Sequence, residues 1–150
     1  MSANTVSLHR VLKASPGKVY KAFSDPLAHA TWLPPYGFLC VIHQMDFYKG
    51  GSFKMSFVNF GTGNGHSFGG TYLDIVPNEL IKYTDRFDDP NLLGEMTTTV
   101  WLRPVSCGTE IKILQEGIPA VIPVEMCYLG WQESLEKLKK LVEPDIPDAG

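Results

Sequence analysis

Apolar residues near the C-terminus recur at steps of three and four, a spacing that predicts a long amphipathic helix. The stripe consists of Val124, Cys127, Tyr128, Trp131, Leu135, Leu138 and Val142. The opposite face is charged, with Glu133, Glu136, Lys137, Lys139 and Lys140. Because one face of this helix must be buried, the rest of the chain has to supply a surface for it to cover. Pro144 is expected to end the helix, and Asp145–Gly150 to form a loose tail.

The chain before this helix is predicted to form strands separated by turn residues. A first strand over Thr5–Lys13 precedes two short helices, which Ser15-Pro16 and Asp25-Pro26 begin and Pro34-Pro35 stops. Further strands are predicted over Phe38–Phe47, from Phe53 through Phe57, and over Phe68–Val76, Leu80–Phe87, Met96–Val105 and Thr109–Gln115. Between them, Gly61–Gly65 is expected to be a hairpin loop in which Asn64-Gly65 adopts positive φ. This order predicts an α+β helix-grip fold: a curved antiparallel sheet of about six or seven strands, wrapped on the C-terminal helix.

Composition narrows the class of protein. With 150 residues, 44% of them hydrophobic, the chain is expected to form a single domain over residues 1–150. The net charge of −3 argues against nucleic-acid binding, and no apolar run is long enough to span a bilayer. The first ten residues lack the apolar core of a signal peptide. Three widely spaced cysteines make a poor disulfide framework, so we expect a cytoplasmic protein.

Several short motifs, taken in order, resemble one family. They are the helix Val19–Phe23 with Asp25-Pro26 and Trp32, Gly50-Gly51 before Phe53, Gly70-Thr71-Tyr72 before Ile75 and Pro77, and Gly130-Trp131 with Ser134-Leu135 and Leu138. From about Thr5 to Glu143 the chain resembles the activator-of-Hsp90-ATPase-like family, a branch of the START and birch-pollen-allergen (SRPBCC) helix-grip superfamily. The resemblance implies a START-like domain with a cavity between sheet and helix. Relatives bind lipids, hormones or polyketide-like molecules there, and a few carry out chemistry.

Side-chain alternation predicts which residues would line such a cavity. Ile81, Tyr83, Asp85 and Phe87 share one face of their strand, and Gln115 shares a face with Ile111 and Ile113. If Asp85 faces inward, desolvation should raise the pKa of its carboxyl group, and Arg86 points the other way. Alternatively, Asp85 lies in water at a strand end and Gln115 caps a backbone group. The candidate ligand-binding residues are Trp32, Tyr36, Phe53, Phe57, Tyr72, Tyr83, Asp85, Phe87, Gln115 and Trp131.

Other chemistry has weaker support in the sequence. Gly65–Gly69 matches the G-x-S-x-G pattern of serine hydrolases, but a strand is predicted to follow it, where that motif needs a helix. The glycine-rich segment Gly61–Gly65 lacks the helix that a phosphate loop requires. No two of the four histidines are four residues apart, and there is no Cys-x-x-Cys, so neither a metal nor a cofactor is predicted.

The sequence leaves three functions open. The first is binding of a small apolar or aromatic molecule in the cavity. The second is interaction with a partner protein, either chaperone-associated or stress-related, by a monomer or homodimer. The third is a polyketide cyclase- or hydrolase-like enzyme that uses Asp85 or Glu116 as a cavity acid or base. Because no acid–base pair has a convincing spacing, the sequence favours a binding protein over an enzyme.

Overall fold

The computed structural model describes residues 4–148. Its elements in chain order are β1 (Val6–Leu12), α1 (Pro16–Ser24), α2 (Pro26–Trp32), β2 (Phe38–Met45), β3 (Ser52–Asn59), β4 (Gly65–Val76), β5 (Leu80–Phe87), β6 (Met96–Val105), β7 (Gly108–Glu116) and α3 (Val124–Val142). The seven strands form one antiparallel sheet in the order β1-β7-β6-β5-β4-β3-β2. The predicted α+β helix-grip fold is therefore confirmed, with seven strands, two short helices after the first strand and one long C-terminal helix.

Capping residues explain why the two short helices begin where they do. The hydroxyl oxygen of Ser15 accepts a hydrogen bond from the backbone N–H of Lys18 at 3.2 Å, and Pro16 occupies the first turn of α1. Asp25 ends α1 and begins α2, because its carboxylate accepts bonds from the N–H groups of Leu27 (2.9 Å) and Ala28 (3.2 Å). Asp25 is therefore shared by the two helices, and each helix begins with a proline directly after its capping residue, as predicted.

Glycines let strand β4 pass very close to its neighbours. A Cβ atom on Gly70 would lie 1.8 Å from the carbonyl oxygen of Thr84 in β5, so no other residue fits without moving the strands. Pairing between β4 and β5 also shifts register between Tyr72 and Asp74, and such irregularities bend a strand. The strand begins at Gly65 rather than at Phe68. In the preceding loop Gly63 has the positive φ, 79°, that was predicted for Asn64-Gly65.

The buried face of α3 agrees with the predicted stripe except near its start. Trp131, Leu135, Leu138 and Val142 are buried, together with Ser134. The prediction for Tyr128 was wrong, because 38% of this residue is exposed. Tyr128 lies on the flank of the stripe, and exposed Met126 and Leu129 in the same turns show that only a narrow side of the helix is covered there.

The backbone of α3 lies close to only part of the sheet. Within the described residues, α3 comes within 8 Å, measured between Cα atoms, of β1, α1 and α2, but of no residue in β3, β4 or β5. The backbone of α3 therefore does not pack directly against those three strands. After α3, residues Asp145–Asp148 are exposed and form neither helix nor strand, whereas the last two residues of the predicted tail lie outside the described range. None of the helices found in residues 4–148 has the length and apolar character needed to cross a membrane.

Candidate ligand-binding site

A cavity of about 210 Å³ lies between the inner face of the sheet and α3. It occupies the region where the helix backbone stays away from β3, β4 and β5. The sheet side is lined by Phe53, Met55, Phe57, His66, Phe68, Tyr72, Ile81, Tyr83, Asp85, Phe87, Met96 and Gln115. The helices and connecting segments contribute Phe23, His29, Leu33, Pro35, Phe47, Cys127, Gly130, Trp131 and Ser134. The wall is therefore mainly aromatic and aliphatic, with a few polar groups, as small-molecule sites require.

Aromatic rings on the sheet side hold one another in place. The ring of Phe53 lies 5.3 Å from that of Tyr72 and 5.7 Å from that of Tyr83, the second pair nearly perpendicular at 88°. Phe57 and Phe68 form another edge-to-face pair with ring centres 4.8 Å apart. Contacts of this geometry are favourable beyond the burial of apolar area, so the wall is preformed.

Gln115 fastens the long helix to the sheet at the cavity. Its side-chain oxygen accepts a hydrogen bond from the indole N–H of Trp131 at 3.1 Å, and its amide nitrogen donates to the hydroxyl oxygen of Thr98 at 3.2 Å. Gln115 thus faces inward, and it bonds to side chains rather than capping a backbone group. Both of its polar ends are occupied by protein groups, which leaves it a positioning role in the wall.

Asp85 is the one carboxyl group in the lining. Its Oδ1 atom is enclosed and has no hydrogen-bond partner within residues 4–148. Burial raises the pKa of this carboxyl group to about 8, an effect that the backbone N–H of Arg86 partly offsets and the negative charge of Asp88 increases. The guanidinium of Arg86 points to the outside, where it lies 3.8 Å from the carboxylate of Glu95. At neutral pH Asp85 therefore carries its proton and is a hydrogen-bond donor.

Burial also favours the uncharged forms of Tyr72, Tyr83, Cys127 and His29 in the wall. Burial raises the pKa of the Tyr72 and Tyr83 phenols and that of the Cys127 thiol. The same cause lowers the pKa of His29 to about 4, and its Nδ1 atom is buried without a partner among the described groups. No Lys or Arg lines this part of the described structure, so the wall offers an anion neither an ammonium nor a guanidinium group.

All but two of the predicted ligand-binding residues line this cavity. Trp32 is fully buried elsewhere: its indole N–H donates to the carbonyl oxygen of Ala22 at 2.8 Å, and its ring packs against Phe23 and His29, behind the wall. Tyr36 is 54% exposed, because the turn after α2 points its side chain away from the core. Trp32 is the last residue of the short helix α2 and Tyr36 follows it, and the periodicity of so short a helix could not fix the direction of either side chain.

Glu116 and Trp101, on strands of the sheet, also lie away from the cavity. Glu116, the second candidate acid or base, is exposed because it follows inward-facing Gln115, and side chains alternate along a strand. Trp101 is 41% exposed on the outer face of the sheet, where it is paired with Lys112 across β6 and β7.

Several lining residues were not among the predicted ligand-binding residues, and His29, Gly130 and Ser134 are three of them. His29 lies in the seven-residue helix α2, too short for a pattern of apolar residues to define its buried side. Ser134 is polar and was not assigned to the apolar stripe, although it is buried and lies 2.5 Å from the carbonyl oxygen of Leu33. A glycine inside the predicted helix indicates a special position, because it costs helix stability and usually has a packing or functional reason. Gly130 could have been found in this way.

In the part of the chain that the structure describes, neither the G-x-S-x-G segment nor any group of metal-ligating side chains has the geometry that its chemistry needs. The segment Gly65–Gly69 lies inside strand β4, so Ser67 is not on a strand-to-helix turn. Its hydroxyl oxygen lies 2.8 Å from that of Ser56 on the neighbouring strand. Across residues 4–148, no three His, Cys, Asp or Glu side chains are grouped so that they could hold a metal ion.

The antiparallel sheet, the long helix laid across it and the cavity between them define a helix-grip domain. The sequence profile of the family described as Activator of Hsp90 ATPase homolog 1-like protein matches residues 13–143, and the chain belongs to that family. A solved protein of Chromobacterium violaceum is 58% identical to it, with a TM-score of 0.94 over 96% of this chain and 100% of that one. No curated protein matches the chain.

More distant solved structures have the same fold. A protein of Rhodobacter sphaeroides is 22% identical, with a TM-score of 0.78 over 93% of this chain and 92% of that one. A Silicibacter pomeroyi protein whose name carries the same family designation is 21% identical, with a TM-score of 0.79 over 91% of this chain and 95% of that one. At these identities the likeness concerns the fold alone.

Proposed function

We propose that the protein binds a small apolar or aromatic molecule in the cavity between the sheet and α3. The observation that carries this proposal is a preformed space whose wall is almost entirely apolar. A cavity in a close-packed core costs stability, so a protein that keeps one invites a functional explanation. The helix-grip architecture of the family, which commonly accommodates hydrophobic ligands, supports the same conclusion.

Gly130 adds a second reason to regard the space as functional. It lies in the middle of α3 and lines the cavity, and a Cβ atom built on it would meet no atom within 4 Å. Alanine at this position would fit and would favour the helix by about 1 kcal/mol. The glycine therefore keeps room open at a cost in helix stability, as expected where a ligand rather than a side chain occupies the space.

Calorimetric titration of the protein with a neutral two-ring aromatic, 2-acetylnaphthalene, tests this proposal. We expect saturable one-to-one binding with a negative heat-capacity change, the mark of apolar surface removed from water. Gly130→Leu should abolish binding by filling the cavity, whereas Glu136→Leu, which places the same side chain at an exposed position of α3, should leave it intact. Equal binding by wild type and both variants would show that the molecule binds elsewhere.

Catalysis is a second candidate because of Asp85. A carboxyl group that keeps its proton at neutral pH inside an apolar cavity has the property of a general acid. Such an enzyme would need the reacting oxygen of its substrate to lie against Asp85. Asp85→Asn would then abolish turnover while binding persisted. Retained turnover by that variant would remove Asp85 from any mechanism.

A partner protein is the remaining alternative, and it rests on the family name, which refers to activation of the Hsp90 ATPase. A chaperone-associated or stress-related role would be supported by a stoichiometric partner in a pull-down that is retained by Gly130→Leu. Loss of that partner on filling the cavity would instead connect partner and ligand.

The three cysteines are free, which supports our proposal of a reducing compartment such as the cytoplasm.

A further inference from the structure

The polar groups that line the cavity differ in whether protein atoms already satisfy them. Gln115 is engaged at both ends by Thr98 and Trp131, and the hydroxyl of Ser134 lies within hydrogen-bond distance of backbone carbonyl oxygens. The Oδ1 atom of Asp85, in contrast, is buried and lacks any partner in the described structure. Buried polar atoms are nearly always hydrogen-bonded, and an exception in a cavity wall points to a group that the cavity receives.

We infer that the ligand is an uncharged aromatic molecule carrying a hydrogen-bond acceptor, such as a ketone carbonyl oxygen, which takes a hydrogen bond from the carboxyl group of Asp85. This inference rests on the proposed function and specifies the ligand of the same cavity. A protonated carboxyl group donates one strong hydrogen bond, and an acceptor placed against it would give a partner to the side of the group where Oδ1 has none in the described structure.

The nearest Lys and Arg side chains on the neighbouring described strands are paired with other carboxylates rather than with Asp85. Arg86 on the same strand turns outward to Glu95, and the ammonium of Lys54 on β3 pairs with Asp88. The remaining titratable groups that line the cavity are Tyr72 and His66 on β4, Tyr83 on β5, His29 on α2 and Cys127 on α3. His29 stays neutral because burial lowers its pKa. Because neither Lys nor Arg lines the cavity in the described structure, an anionic ligand would enter a mainly apolar space without an ammonium or guanidinium partner, at a high desolvation cost.

The volume limits the size of the molecule. An apolar cavity of about 150 Å³ holds a single benzene ring, whereas pockets for drug-sized ligands measure about 300–1,000 Å³. The value here, about 210 Å³, fits one ring or two fused rings with a short substituent. A two-chain lipid would not fit without opening the domain.

Matched probes test this inference: 2-acetylnaphthalene with an acceptor, 2-isopropenylnaphthalene with the same shape but none, and anionic 2-naphthoate. Calorimetry at pH 7 would compare wild type with Asp85→Leu and Asp85→Asn. We expect Asp85→Leu to weaken the ketone about three- to tenfold and to leave the hydrocarbon unchanged or tighter. Asp85→Asn keeps an N–H donor and should retain ketone binding. Naphthoate should bind wild type at least about tenfold more weakly than the ketone.

The pH dependence gives a second readout. Wild-type affinity for the ketone should stay level below about pH 8 and fall above it, as Asp85 loses the proton that it donates. Asp85→Asn should abolish that fall. If Asp85→Leu changes ketone and hydrocarbon affinity equally, the inference is wrong while cavity binding stands. If neither naphthalene binds wild-type protein at its solubility limit, the proposed function fails and the inference with it.

Discussion

The carboxyl group of Asp85 lowers the stability of the folded protein at neutral pH. An unfolded aspartate ionises near pH 3.9, but burial raises the folded-state pKa of Asp85 to about 8. The folded state therefore holds the proton more tightly, and the stability contribution falls as pH rises from about 4 to 8. His29 acts in the opposite sense: its folded pKa is about 4, so its contribution is lost as pH falls below about 6.5. Between about pH 6.5 and 8, the loss of stability caused by Asp85 is not offset by any pH-dependent contribution from His29.

We therefore predict that the free energy of unfolding of the wild type decreases by roughly 2 kcal/mol between pH 6.5 and 8. Asp85→Asn should remove this decrease, because an amide does not ionise. Urea denaturation at half-unit pH intervals would measure it, with the exposed substitution Glu136→Gln as a control that keeps the wild-type slope. Equal slopes for wild type and Asp85→Asn would mean that Asp85 ionises normally in the folded protein.

A pair of glycines gives a second prediction at this scale. Gly130→Ala should raise the free energy of unfolding by about 0.5–1 kcal/mol, since the new Cβ meets nothing within 4 Å and alanine favours the helix. Gly70→Ala should lower it by more than about 3 kcal/mol, because its Cβ would overlap the carbonyl oxygen of Thr84. Thermal and urea denaturation of both variants would check the opposite signs. Destabilisation by Gly130→Ala would show that no open space adjoins the glycine.

At the scale of elements, α3 holds the connection between α2 and β2. Ser134 lies 2.5 Å from the carbonyl oxygen of Leu33, Lys137 donates to that of Pro34 at 2.8 Å, and Glu133 accepts from the N–H of Tyr36 at 3.1 Å. Leu33 and Pro35 also line the cavity, so this connection is part of its wall. Successive contacts from one helix therefore fix the position of a segment that has no regular structure.

We predict that Ser134→Ala lowers the free energy of unfolding by about 1 kcal/mol, because a partly buried hydrogen bond is lost. Amide hydrogen exchange should also rise in residues 33–37 more than in the β-sheet. Ser106→Ala, an exposed change in the β6–β7 turn, is the matched control. Unchanged exchange in residues 33–37 would mean that Ser134 does not hold the connection.

The elements differ in how far the sequence predicted them. Alternation predicted β5 and β6 with their observed bounds. It also predicted that Tyr83 and Asp85 share a face, but it left open whether Asp85 points inward or lies in water at the strand end. Capping residues gave the starts of α1 and α2. The side-chain directions in and after the short helix α2 were not predicted correctly. The positions of Trp32 and Tyr36 depend on tertiary packing around α2, and a helix of only about two turns has too few residues for its sequence pattern to define a buried face. For the same reason, the sequence did not predict that His29 lines the cavity.

At the scale of the whole molecule, the cavity follows from where α3 comes to lie. Contacts with β1, α1 and α2 support the helix at one end of the sheet, and the backbone remains distant from β3, β4 and β5. A curved sheet and a straight helix cannot be in contact everywhere, so large inward side chains fill only part of the gap. The sequence predicted the apolar wall, but the unfilled volume depends on tertiary distances that no local pattern contains.

The central claim is that this volume holds a ligand, and native mass spectrometry of the protein purified from cells tests it most directly. We predict a one-to-one adduct of small mass that disappears when the same sample is denatured, and that is absent from Gly130→Leu purified in parallel. Wild-type protein that remains free of adduct even after incubation with 2-acetylnaphthalene would contradict the account. So would an adduct that Gly130→Leu retains in full.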